Sequence, residues 1–340
     1  MRVAILAHEK FPGRAKTAIG ILRYADFDVA AVLDRDAAGT RVRDHAADVQ
    51  DAPIVAGMDD VEGSVDALII GISPIGGDFD DSWRPDVRTA IRRGCDVYAG
   101  LHYFLSEDDG FARLADEHDV ELRDVRDPPD DLDVSAGEAA DVDAKIVLTV
   151  GTDCASGKMT VTMELVDALI EEGYDAAAIP TGQTGILIEG WGIPVDRTVS
   201  DFAAGAVERM VLEKGDEHDY LVVEGQGSIV HPAYSGVTCS ILHGSMADEL
   251  ILCHNAGREV IHGYESFEMP SIQEYVDLYE DLAAPVHETT VVAGALNTRE
   301  LPDDETAREA VDDYADRLGA PSTDPIRFDS KPLVEAITER

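Results

Sequence analysis

Residues 145–160 read KIVLTVGTDCASGKMT. A short apolar run leads into a loop bracketed by Gly151 and Gly157, and Lys158 opens a segment of helical spacing. Strand, glycine loop, lysine and helix is the layout that binds phosphate. Glycines let backbone N–H groups turn inward, a helix start adds partial positive charge, and the lysine adds a full one. The expected contacts to a phosphate-bearing cofactor are therefore Gly151, Thr152, Asp153, Cys154, Ala155, Ser156, Gly157, Lys158, Met159 and Thr160. Met159 stands where a nucleoside triphosphatase places a Ser or Thr hydroxyl on Mg²⁺. Methionine has no oxygen to give, and Thr160 points about 100° further round a helix. The loop is expected to hold phosphates without the usual metal contact, and no metal is expected.

Two further stretches are rich in glycine and polar residues: PTGQTGILIEGWG, residues 180–192, and VEGQGSIVHPAYSG, residues 223–236. Glu224 ends an apolar run. A carboxylate there can coordinate a metal, act as a general base, or accept backbone N–H bonds from Gly225 to Gly227. His231, in the same loop, is a candidate proton carrier near neutral pH, or a hydrogen-bonded loop residue. Arg197 is a candidate partner for a substrate carboxylate or an ordinary surface arginine. Cys154, before a helix start, is a possible acyl acceptor, although a packed loop thiol is the simpler account. Asn297 follows an apolar run where related phosphate-loop proteins contact a base, and an Asx turn explains it equally. His243 and His254 read as satisfied core histidines.

These groups need elements to position them. The first segment reads β-α-β: a strand at 3–7, helical spacing at 15–24, and a second strand at 29–33 ending at Asp34. Its first turn carries one glycine and no GxGxxG, so dinucleotide binding is weakly supported, and Asp34 reads as an exposed strand-end residue rather than a ribose ligand. Further strands are expected at 67–72, followed by the turn SPIGGDFDD, and at 96–99 and 120–125, with helices at 87–93 and 110–118. Residues 127–143, DPPDDLDVSAGEAADVD, have linker composition. Domains are accordingly expected at 1–126 and 144–340. The second has apolar runs at 146–150, 176–179, 220–223, 250–253 and 290–295 with helical stretches between them. Ser271 and Glu274 have capping-box spacing, and Gly319 with Pro321 closes a helix that begins near Asp303. Alternating strands and helices predict an α/β protein: a Rossmann-like domain, then a phosphate-loop domain with a doubly wound parallel sheet. Ligands of such sheets bind beyond the carboxyl ends of the strands, where all three polar loops would meet.

A chain of 340 residues is long enough for two cores. Its 27 Lys and Arg against 69 Asp and Glu give a formal net charge of −42. So acidic a surface argues against nucleic-acid or anionic-membrane binding, and it is the pattern of proteins kept soluble in concentrated salt. A salt-loving source with a salty cytoplasm is expected. The four cysteines, Cys95, Cys154, Cys239 and Cys253, form no CxxC pair, so neither zinc nor a redox dithiol is indicated. The last two and Cys95 read as buried free thiols. The first residues turn polar too early for a signal peptide, and no apolar run approaches the ~20 residues of a membrane span. A cytoplasmic enzyme, as a homo-oligomer, is expected.

The five residues between Gly151 and Gly157, where the usual motif has four, resemble the variant loop of dethiobiotin synthetase and its relatives. GTDCASGKMT, PTGQTG, VEGQGSIVHPAYSGVT, ILHGS and GALNT together resemble one family, the D-glutamate N-acetyltransferases, over nearly the whole chain. The resemblance implies transfer of an acetyl group from acetyl-CoA to the amine of D-glutamate, in D-glutamate breakdown. Acetyl-CoA carries a diphosphate and a 3′-phosphate, so a phosphate loop can hold it with no phosphoryl transfer. Such a reaction assigns Glu224 or His231 as base, backbone N–H groups of Gly225 to Ser228 as oxyanion donors, and Gln183, Arg197, Gln226, Ser228 and Tyr234 as substrate contacts. Two rival readings stand beside it: an ATP- and Mg²⁺-dependent ligase or kinase like dethiobiotin synthetase, and a non-catalytic nucleotide or CoA sensor. The front domain is left with three possible roles, in substrate binding, in completing the cleft or in assembly.

Overall fold

The structure, a computed structural model, describes residues 1–72, 74 and 77–339. The expected turn SPIGGDFDD falls partly outside them, at Ser73, Ile75 and Gly76. The chain divides into two compact units, Met1–Pro128 with Gln183–Pro194, and Pro129–Gly182 with Val195–Arg340.

In the first unit the apolar runs form β1 (Arg2–Leu6), β2 (Asp28–Leu33), β3 (Ile54–Val55), β4 (Ala67–Ile70), β5 (Asp96–Ala99) and β6 (Leu122–Asp124). The helices are α1 (Lys16–Tyr24), α2 (Arg84–Arg92) and α3 (Asp109–His118). The sheet is parallel in the order β3-β2-β1-β4-β5-β6. All four residues of β4, ALII, are buried, as a strand covered on both faces requires. Strand order reverses between β1 and β4, the Rossmann arrangement. Asp34 departs from expectation. It is 1% exposed, and its carboxylate accepts the N–H groups of Phe11, Asp36 and Ala37. Those bonds tie the β1–α1 loop to the end of β2 and leave the side chain a structural part.

The second unit holds β7 (Lys145–Gly151), α4 (Lys158–Glu171) and β8 (Ala176–Ile179). The next helix, α5 (Gln183–Glu189), belongs to the first unit, where it packs on α1 and Thr184 hydrogen-bonds Thr17 at 2.9 Å. Then come α6 (Ser200–Lys214), β9 (Tyr220–Val223), α7 (Ser235–Ser245), β10 (Glu249–Asn255) and a hairpin of β11 (Val260–Ile261) and β12 (Tyr264–Glu268). The chain ends with α8 (Ile272–Ala283), β13 (Thr290–Asn297), α9 (Asp304–Leu318), β14 (Ser322–Thr323) and α10 (Lys331–Thr338). The main sheet is parallel in the order β14-β13-β10-β7-β9-β8. β7 therefore lies between β10 and β9, and the loops after β7, β8, β9 and β10 leave one edge.

Two buried tyrosines tie the strands and loops of this core together. Tyr279 of α8 donates to Gly151 O at 2.7 Å and accepts Ile229 N–H at 3.2 Å, joining the phosphate loop to the loop after β9. Tyr314 of α9 donates to Leu252 O in β10, and Tyr275 is fully buried beside them. Ser271 and Glu274 form the expected reciprocal cap of α8, and Asp303 and Gly319 bound α9. Sequence periodicity missed β3, β14 and the hairpin, because a two-residue strand shows no period and β12 is exposed throughout. Among the described residues no helix is long and apolar enough to cross a membrane.

Candidate active site

β7 carries the chain to the loop. Thr152 continues the sheet, its N–H bonding Cys253 O and its hydroxyl bonding His254 Nδ1 at 2.8 Å. Beyond it, the N–H groups of Ala155, Ser156, Gly157, Met159 and Thr160 have no protein acceptor among the described residues. Ala155 is held at φ 52°, a left-handed turn that costs a non-glycine residue free energy and directs its neighbours' N–H groups inward. Lys158 Nζ is buried and reaches Asp153 O at 2.9 Å, Gly227 O at 2.8 Å and Ser156 Oγ at 3.3 Å. The ammonium thus lies inside the cradle and bridges it to the loop after β9. Met159 is buried and offers no oxygen there, while Thr160 is half-buried. Asp153 faces away from this cradle. Its Oδ1 accepts Cys154 N–H at 2.6 Å, and its Oδ2 accepts His262 N–H at 2.8 Å and Arg258 Nη1 at 3.1 Å. An anion inside an anion-binding loop is tolerated because a guanidinium and two N–H groups neutralise it.

Glu224 is 5% exposed. Its partners are not Gly225 to Gly227. Oε2 accepts the N–H groups of Thr181 (3.2 Å) and Gly182 (3.1 Å) at the end of β8, and Thr181 Oγ1 donates to the Glu224 carbonyl. β9 lies beside β8, so a carboxylate at the end of one reaches the end of the other. Gly225 packs so closely on β7 that a Cβ would run into Thr149 O. Gly227 sits at φ 62°, where a Cβ would meet Tyr234 O at 2.7 Å. That left-handed residue shapes a nest: the N–H groups of Gln226, Gly227 and Ser228 have no acceptor among the described residues. Gly225 N–H, by contrast, is engaged by Thr149 Oγ1. The side chains of Gln226 and Ser228 turn inward, donating to Thr181 O at 2.6 Å and Thr152 O at 3.0 Å.

His231 is 1% exposed. Its Nδ1 accepts Ala233 N–H at 3.1 Å, so the neutral ring carries its proton on Nε2, which stands 3.9 Å from Asp153 Oδ1. Burial holds the ring below its ordinary pKa against the pull of Asp153. A ring so arranged donates a hydrogen bond and does not accept a proton at Nε2. Ligand atoms of Asp153, Cys154 and His231 lie within 4.8 Å of one another, a spacing open to a cation. The bonds already made by both Asp153 oxygens and by His231 Nδ1 account for that cluster without one.

Residues 133–334 match the P-loop domain, and residues 35–128 the Rossmann-like domain, of a family described as a domain of unknown function, DUF1611. A crystal structure of a DUF1611 family protein from Anabaena variabilis superposes with a TM-score of 0.95 at 37% identity, over 100% of this chain and 99% of that one. The chain belongs to the DUF1611 family. Two relatives, from Tritonibacter scottomollicae and a Pseudoalteromonas species, are named D-glutamate N-acetyltransferase. Each is 34% identical, the first over 79% of this chain and 80% of its own, the second over 76% and 77%. This DUF1611 protein is an acyltransferase.

The remaining candidates are placed as follows in the DUF1611 chain. Asn297, at the end of β13, closes an Asx turn on Arg299 N–H at 3.1 Å, so its side-chain oxygen is engaged locally. Gln183 opens α5 in the first unit. Arg197, at the end of a short 3-10 helix, and Tyr234, at the start of α7, are exposed. Cys154 is half-buried, as is Cys239, whereas Cys95 and Cys253 are buried. His243 bonds Leu282 O, and His254 bonds Thr152. Arg258, Tyr264 and Tyr279 were not visible as site residues in the sequence. Nothing in their local spacing signals them, because each reaches the loop from an element far along the chain.

Proposed function

We propose that the protein transfers the acetyl group of acetyl-CoA to the amine of D-glutamate. The observation that carries this reading is the cradle: five N–H groups with no protein acceptor among the described residues and Lys158, with Met159 where a phosphoryl-transfer enzyme needs a hydroxyl for Mg²⁺. That set suits phosphates that are gripped and not broken. The substrate's identity, including its D configuration, comes from the names of the two relatives.

Glu224 is the proposed base. It is the carboxylate oriented by two N–H bonds at the strand edge, whereas His231 is set as a donor. It takes a proton from the substrate ammonium, and the freed amine attacks the thioester carbonyl. The nest of Gln226, Gly227 and Ser228 is proposed to receive the oxyanion, which collapses with cleavage of the C–S bond; the CoA thiolate leaves and takes the proton held by Glu224, and the nitrogen releases its second proton to solvent to give the amide. Arg197 and Tyr234 are proposed to hold the substrate carboxylates.

The test is to incubate the protein in concentrated KCl with D-glutamate and either acetyl-CoA or ATP with Mg²⁺, following free thiol and phosphate. Thiol release that needs both acetyl-CoA and D-glutamate is expected. Phosphate release from ATP would replace this reading with a ligase or kinase, and binding without turnover would replace it with a sensor. Glu224→Gln is expected to lower kcat at least about a hundredfold while acetyl-CoA binding, measured by calorimetry, persists. Near-normal turnover would remove Glu224 as base.

A further inference from the structure

Four rings run in a continuous series beside the phosphate loop. Tyr234 lies 4.7 Å from His231, Tyr264 meets His231 edge-on at 5.2 Å, and Phe267 meets Tyr264 at 6.2 Å. His231 is the buried foot of the series, whereas Tyr234, Tyr264 and Phe267 are 45, 37 and 49% exposed. Two of the three exposed rings stand on the β11–β12 hairpin, and every residue of β12 is exposed. The hairpin is fastened to the cradle: Arg258 donates to Asp153 Oδ2 and Cys154 O, and His262 N–H donates to Asp153 Oδ2. Asn297, the residue expected at the base of a bound nucleotide, is engaged in its own turn.

We propose that Tyr264 and Phe267 form the stacking platform for the adenine ring of the cofactor. The proposal rests on the reading that the cradle holds the phosphates of a CoA ester. Adenine is separated from those phosphates by a ribose, and the hairpin is the aromatic surface fastened within one residue of the cradle. Adenine itself is neutral, and the 3′-phosphate on its ribose adds about two negative charges. A second copy of a chain with net charge −42, docking on a hairpin that carries Glu259, Glu265 and Glu268, brings far more repulsion. The rings offer flat faces at little entropic cost, which favours stacking over hydrogen-bond readout.

The test compares acetyl-CoA with acetyl-pantetheine, which lacks the nucleotide, and measures binding of adenosine 3′,5′-bisphosphate by calorimetry. In Phe267→Ala and Tyr264→Leu, the ratio of kcat/KM for acetyl-CoA to that for acetyl-pantetheine is expected to fall about tenfold. Affinity for the bisphosphate should fall by a similar factor, and Phe267→Tyr should restore both. An unchanged ratio overturns the proposal, as does a wild-type protein that does not bind the bisphosphate. A change in sedimenting mass with no change in the ratio assigns the hairpin to contact between copies and also overturns it. Should the bisphosphate bind, and bind more weakly to the variants, in a protein that does not use acetyl-CoA, the platform stands and the donor assignment fails.

Discussion

At the scale of single residues, two histidines a few ångströms from the cradle are held uncharged. Burial pushes His254 down to about 4 from an ordinary 6.5, and the nearby Arg317 and Arg258 act in the same direction. His231 is shifted the same way by burial. Between those values the unfolded chain binds protons that the folded one does not, so stability rises with pH across the window and falls on acidification. His254 alone contributes about 3 kcal/mol of that loss at the acid end. Urea midpoints measured at pH 7.5 and 4.5 should therefore differ, and His254→Gln should flatten the difference. Lys158 makes a separate prediction. Its ammonium holds Asp153 O and Gly227 O together, so Lys158→Met should weaken acetyl-CoA binding at least about tenfold and also loosen the two loops. Calorimetry reads the first effect. Unchanged affinity would deny that the cradle holds phosphate.

At the scale of elements, the site depends on how closely β9 approaches β7. Gly225 is the point of contact, and the atom that an added Cβ would strike is backbone, which cannot swing aside. Gly225→Ala should cost about 3 kcal/mol in urea unfolding by forcing the strands apart. A neutral result would show that the loop relocates. The α8 cap is a milder case. Ser271 and Glu274 satisfy each other's backbone N–H groups at the start of the helix that delivers Tyr279. Ser271→Ala should cost about 1 kcal/mol, with little change in turnover if Tyr279 keeps its place. Of these two features the capping box could be read in the sequence, since it lies within four residues. The glycine contact could not, since it needs the order of the strands.

For the whole molecule the governing quantity is charge. With 69 acidic and 27 basic side chains, most carboxylates have no cation to meet, and repulsion opposes the compact state. Salt shortens the range of that repulsion, from about 10 Å at 0.1 M to about 3 Å at 1 M. The thermal midpoint should therefore rise from 0.1 to 2 M KCl, the reverse of what a protein held by surface ion pairs would do. A midpoint that falls, or does not move, would show that repulsion is not the dominant surface force. Screening also bears on the proposed function, because it would let acetyl-CoA, a polyanion, approach a polyanionic protein.

The sequence by itself determined the two parallel sheets and the phosphate loop. Apolar runs of strand length, helical spacing between them and a glycine loop ending in lysine are local patterns, and each reads the same wherever the segment is placed. Only the tertiary structure decided what the chemical groups do. Glu224 meets Thr181, 43 residues away, because β9 pairs with β8. Asp34 turns out buried because the β1–α1 loop folds over it. His231 is a donor because Ala233 caps one ring nitrogen, and Asp153 is neutralised from a hairpin more than a hundred residues on. A side chain's protonation state and free lone pairs are set by its neighbours in space, and those follow from strand order, which no local pattern encodes.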